Sequence, residues 1–200
     1  DLDNLAGSGV NVVTFVNSAT GSATGRSVAE VGNVLGDGNL DIAIGAPTAG
    51  LTTTGNTGAV YLVNGSSLNS VQTSTINLAN VGQTTNNVPG VIFSGASSLS
   101  GAGFSVAGAG NTTGRVNSNN IGITDLLIGA PGTNGNTGAA YLVYGSTSLT
   151  NLATTVNNVS LIQLSLVGNG VSGAVINGTA FGDQTGFSVA SAGDFNQDGF

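Results

Sequence analysis

The chain has 200 residues, 34 of them glycine, and a formal charge of −7 from nine acids and two cations, Arg26 and Arg115. Glycine is well above its usual share of about 7%, and charged residues are far below the usual share of about 25%. Histidine, cysteine, methionine and tryptophan are absent, as is lysine. This excludes a Cys or Lys nucleophile, a Ser–His pair and any thiolate or imidazole metal site. Oxygen ligands for hard cations remain. Two arginines are too few for a surface that tracks nucleic-acid phosphates, so no nucleic acid is expected as a partner. The longest apolar runs are strand-sized, so no membrane span is expected. The opening Asp1-Leu2-Asp3 has no basic n-region of a signal sequence.

In chain order, Gly25-Arg26-Ser27-Val28-Ala29 opens the first strand pattern. A turn follows, then Asp41-Ile42-Ala43-Ile44, closed by Gly45-Ala46-Pro47, where proline cannot continue a central ladder. Ala59-Val60-Tyr61-Leu62-Val63 reads as a further strand ending in the hairpin signal Asn64-Gly65. Strands are also predicted over 76–81 and 91–93. The series then repeats. Gly103-Phe104-Ser105-Val106-Ala107 precedes Asp125-Leu126-Leu127-Ile128-Gly129-Ala130-Pro131, and Gly138-Ala139-Ala140-Tyr141-Leu142-Val143 follows. Their counterparts lie roughly 80 residues earlier. Strands are predicted over 139–144, 161–167 and 174–176. A third copy begins at Gly186-Phe187-Ser188-Val189-Ala190.

Short strands in tandem units predict an all-β fold, a segment of a β-propeller built from four-stranded antiparallel blades. A small sheet cannot bury both of its faces alone, whereas neighbouring blades cover one another. A β-solenoid would need repeats of about 20–30 residues, far shorter than these. The units are placed at 1–70, 71–150 and 151–200, about two and a half repeats, with the third cut in mid-motif.

The order Gly-Phe-Ser-Val-Ala, an Asn/Asp-Gly loop, Asp-Leu-Leu-Ile-Gly-Ala-Pro and Gly-Ala-Ala-Tyr-Leu-Val resembles the FG-GAP repeat of integrin α-subunit propellers and large bacterial surface proteins. Residues 1–5 resemble the outer strand before the first such motif, and Arg26 stands where the motif has phenylalanine. The resemblance implies a non-catalytic extracellular or cell-surface scaffold or adhesion module. Its expected partners are other repeats of the same chain or copies of itself in a ring or filament, with a cell-surface protein or glycan as ligand. The alternative is the propeller portion of a secreted polysaccharide- or lipid-acting enzyme whose active site lies outside these residues. The remaining acids Asp1, Asp3, Glu30 and Asp183 form no evident catalytic pair.

The loop before each Asp-initiated strand is where oxygen ligands cluster. Asp194, Asn196 and Asp198 occupy positions 1, 3 and 5, with Gly199 at position 6. This spacing suits a structural Ca²⁺ ion, because alternate side chains converge when the backbone curls. The FG-GAP resemblance implies a further Asp at position 9, so the loop is incomplete here. Asn33, Asp37 and Asp41 form a weaker version with Leu35 at position 3, and the second loop pairs amides with Asp125 alone. The alternative for all three is a plain Asn- and Gly-rich turn.

Overall fold

The computed structural model describes residues 12–17, 21–52, 55–68 and 73–193. It is all-β, and most of its strand pairs are antiparallel. Among the described residues the only α-helical turn is at Thr133–Asn136, and left-handed Asn134 and Gly135 interrupt it.

Two sheets carry the repeats. In the first, β2 (Ser27–Gly32), β3 (Asp41–Ala46), β4 (Ala59–Val63) and β6 (Gly90–Ser94) form an antiparallel meander. In the second, β7 (Ser105–Gly110), β8 (Asp125–Ala130), β9 (Ala139–Val143) and β12 (Gly173–Asn177) repeat that order. Each second strand ends where Gly-Ala-Pro stops the ladder. Two four-stranded antiparallel meanders stacked in sequence are the architecture of a propeller segment. The strands Val12–Val16 (β1) and Thr73–Asn77 (β5) pair in parallel beside the first sheet. Thr154–Val156 (β10) and Val159–Gln163 (β11) extend it beyond β6.

Sheets and sequence units divide the chain differently. β6 lies beyond residue 70 yet completes the first sheet, and β12 lies beyond residue 150 yet completes the second. The fourth strand therefore arrives after an excursion of variable length. Two segments read as continuous strands are shorter ladders followed by 3-10 turns. β5 gives way to Leu78–Asn80, where the Asn77 side chain accepts from the Ala79 N–H. β11 gives way to Leu164–Leu166. Residues 187–190 form no ladder, because no described strand runs beside them. Residues 1–5 lie outside the described part.

The larger core sits between the two sheets. Ala43, Val60, Leu62, Val91 and Phe93 meet Val106, Leu126, Ile128, Tyr141 and Val143 there. A second core lies on the opposite face of the first sheet, around Ile44, Tyr61, Val63 and Ile92. Leu78, Val81 and Leu161 close over it, with Phe15 against its edge.

The Gly-Ala-Pro glycines set the spacing between sheets. The Gly103 carbonyl sits so close to the Cα of Gly45 that an added β-carbon would overlap it, and Gly186 approaches Gly129 in the same way. The preceding repeat's serine completes each junction: Ser27 Oγ donates to the Gly103 carbonyl at 2.8 Å and Ser105 Oγ to the Gly186 carbonyl at 2.9 Å. Gly45→Ala and Gly129→Ala are each expected to lower unfolding free energy by about 1–3 kcal/mol through overpacking. Gly122→Ala, where the nearest atom is 3.6 Å from the added carbon, is expected to stay within about 0.5 kcal/mol. Urea unfolding of the three variants checks this.

Candidate functional site

Antiparallel pairing brings the β2–β3 loop, the β7–β8 loop and the segments after β4 and β9 to one end of the stack. Asp37, Asp41 and Asp125 lie here, and the structure shows what holds them. Asp41 begins β3 and is fully buried. Its Oδ2 accepts from the Leu35 N–H at 2.9 Å and its Oδ1 from the Gly65 N–H at 3.4 Å. Asp125 stands in the same place in the second sheet, also fully buried, accepting from the Gly145 and Thr112 N–H groups and the Thr112 hydroxyl. Both carboxylates tie the turn before their strand to the segment after the next one. Sequence reasoning treated Asp41 and Asp125 as loop ligands, and their equivalent places in the repeat were the available sign of a structural role.

Asn33 and Asp37 are equally engaged. Asn33 Oδ1 accepts from the Gly38 N–H, while its Nδ2 reaches across to the Gly122 carbonyl of the next repeat at 2.9 Å. Asp37 is exposed at the loop tip and accepts from the Asn39 N–H and from the side-chain amides of Asn39 and Asn64. The oxygens of Asn33, Asp37 and Asp41 therefore face hydrogen-bond donors. These bonds hold the turn in shape. Among the described residues, no group of three or more carboxylates could hold a metal ion. Asp194, Asn196 and Asp198 lie outside the described residues.

The loops also clasp one another. Asn117 Nδ2 donates to the Gly36 carbonyl, Thr124 N–H to the Asn33 carbonyl, and Ser146 N–H to the Val34 carbonyl. Between them lies a cleft of about 350 Å³, lined on one side by Leu35, Asp37 and Asn64 and on the other by Thr147, Thr150 and Ser160.

At the opposite end, the three positions following the repeated glycine form one column. The Arg26 guanidinium lies 4.3 Å from the centroid of the Phe104 ring, and Phe104 lies 4.7 Å from Phe187 at a tilt of 44°. Arginine in place of the first phenylalanine keeps the column, because a guanidinium stacks on an aromatic face as a ring does.

Burial pushes the Asp41 carboxyl up to about 6 from its usual 3.8; the Leu35 and Gly65 N–H groups oppose this, and the Asp37 charge adds to it. Asp37 itself is exposed and shifts the other way: the raising effect of its slight burial is outweighed by the hydrogen bonds from Asn39 and Asn64. Between pH 3.8 and 6 the folded chain therefore binds more protons at Asp41 than the unfolded chain does. Unfolding free energy is expected to fall as pH rises through that window, by roughly 3 kcal/mol from this group. Urea unfolding at pH 4.5 and pH 7 captures about 2 kcal/mol of that fall, and Asp41→Asn is expected to flatten it. Asp37, held below 3.8, acts in the opposite sense only at lower pH.

No curated protein matches the chain in sequence. Residues 31–63, which run from the end of β2 through the Asp37 loop, Gly45-Ala46-Pro47 and β4, match the family model of the FG-GAP repeat. The same strands and junctions recur in the second sheet, as in a propeller segment.

Proposed function

We propose that this module is a non-catalytic scaffold or adhesion element of an extracellular or cell-surface protein. Further FG-GAP repeats of the same polypeptide, or other copies of the chain, cover its open face. One comparison within the molecule carries the reading. Ala43, Leu62, Val91 and Phe93 on the first sheet are buried beneath the second sheet. Their equivalents on the second sheet are Leu127, Leu142, Ala174 and Ile176. The first three are half-buried, and Ile176 is 55% exposed. Beside them Phe187 is 53% exposed, with one side stacked on Phe104. The face has the composition of a blade interface and is open among the described residues.

The non-catalytic part of the reading is supported by how the buried acids are used. Asp41 and Asp125 spend their oxygens on backbone amides, and Glu30 accepts from the Gly32 N–H beside its own strand. A cell-surface protein or a glycan is the class of ligand the reading implies for the exposed loops. No helix among the described residues is long and apolar enough to cross a membrane.

A structural Ca²⁺ at Asp194, Asn196 and Asp198 completes the proposal, supported by their 1-3-5 spacing. Carboxylates few in number give affinities at the weak end, roughly 10⁻⁴ to 10⁻³ M. A chain extended through the next Gly-Ala-Pro is expected to melt higher in millimolar Ca²⁺, with Asp198→Ala removing the shift. Absence of binding in calorimetry overturns the metal assignment.

For the open face, the 200-residue chain alone is expected to self-associate in light scattering, and Leu142→Glu to reduce that association. A cooperatively folded monomer of the parent chain counts against the proposal.

A further inference from the structure

The chain has two cations, and one of them is built into a groove. Arg115 sits in the β7–β8 loop with its backbone clamped on both sides. Asn111 Oδ1 accepts from its N–H at 3.0 Å, and its carbonyl accepts from Asn111 Nδ2 at 2.9 Å and from the Ile123 N–H at 2.8 Å. The guanidinium lies 5.1 Å from the centroid of the Tyr144 ring, and Nη1 donates to the Gly145 carbonyl at 3.3 Å. Among the described residues those are its partners. A guanidinium has five N–H donors in a rigid fork, so most of them remain to meet a ligand.

Two hollows flank the Arg115–Tyr144 pair. One, of about 450 Å³, is bounded by Ile123, Ser146, Ser148 and Leu152; the other, of about 380 Å³, by Gly168, Val171 and Gly173. They share Arg115, Tyr144, Gly170 and Ser172, so the pair forms a saddle within one continuous groove. Each hollow lies in the size range of a small-ligand site. The walls offer serine hydroxyls and glycine backbone around small apolar patches, and the only formal charge in the groove is positive.

We propose that this groove binds a carboxylate-bearing oligosaccharide, with one uronate carboxylate on the Arg115 fork and the neighbouring sugars in the two hollows. A planar guanidinium held in place on a ring matches a carboxylate bidentately. Sugar rings suit the mixture of hydroxyls and small apolar patches on either side. An extended peptide would need an unpaired strand edge to continue along the groove, and glycine turns line it instead. A densely sulfated polymer would be repelled by the net charge of −7. Sparse carboxylates on a neutral chain avoid that repulsion at physiological salt.

The inference rests on the module reading in one respect: the sugar is held and not consumed. Titration of the chain with a galactose-based tetramer carrying a single galacturonic acid residue, in physiological salt and followed by amide chemical shifts, tests it. Expected are saturable shifts at Tyr144, Gly145 and Gly170. A neutral galactose tetramer should bind at least about tenfold more weakly, which is the scale of a charge-assisted hydrogen bond. Arg115→Gln keeps a donor for the Gly145 carbonyl while removing the charge and the fork. It is expected to lose about tenfold in affinity at an unchanged melting temperature. Equal binding of the neutral tetramer, unaltered binding by Arg115→Gln, or tighter binding of an acidic peptide overturns the proposal. If Arg115→Gln lowers the melting temperature, Tyr144→Leu, which removes the ring beneath the guanidinium, replaces it and must weaken binding. Shortened oligosaccharide after incubation would overturn the module reading, whereas intact sugar without binding would overturn this inference alone.

Discussion

The structure depends on how closely one repeat can lie on the next. The Gly103 and Gly186 carbonyls, each in a Gly-Phe turn, rest on the backbone of the preceding Gly-Ala-Pro strand at a distance no β-carbon allows. That contact fixes the sheet separation near Gly45, and the serine bonds from Ser27 and Ser105 hold the Gly103 and Gly186 turns in place. A second seam repeats alongside: Ala102 N–H donates to the Thr57 carbonyl, and Thr185 N–H to the Thr137 carbonyl. Small residues at these places are packing elements, because a polar backbone contact and an apolar core must coexist within one sheet-to-sheet distance.

The same constraint explains the acids. Bringing sheets together at one end forces the turns at the other end to be drawn in, and those turns expose backbone N–H groups to burial. A buried N–H needs an acceptor, and Asp41 and Asp125 supply two oxygens each. The arrangement in the first repeat costs charge burial, which appears as the upward shift of the Asp41 carboxyl. Asp41 and Asp125 thus serve the backbone at the base of their loops, while Asp37 stands exposed at a loop tip.

The column of Arg26, Phe104 and Phe187 connects the repeat with assembly. Each member packs on the corresponding residue of the next repeat, so the series has a direction and an end. At that end an aromatic ring and Ile176 face outward beside a sheet whose equivalent positions are covered one repeat earlier.

Much of this was legible in the sequence. A glycine-rich chain with Asp-Ile-Ala-Ile-Gly-Ala-Pro returning as Asp-Leu-Leu-Ile-Gly-Ala-Pro specifies short antiparallel strands in tandem, because periodicity and turn chemistry are local. The fourth strand was less legible. β6 and β12 follow excursions whose length and composition do not repeat, and pairing across such a gap is decided by which edge is free. The roles of Asn33, Asp37 and Asp41 were hidden for a different reason. Sequence shows that oxygens lie at ligand spacing, but only the folded backbone determines whether donors already occupy them. Arg115 was the least visible of all. Nothing in its neighbourhood along the chain marks it, and its surroundings arise because Tyr144 and Ser146 after β9 and Gly170 before β12 meet around it in the tertiary structure.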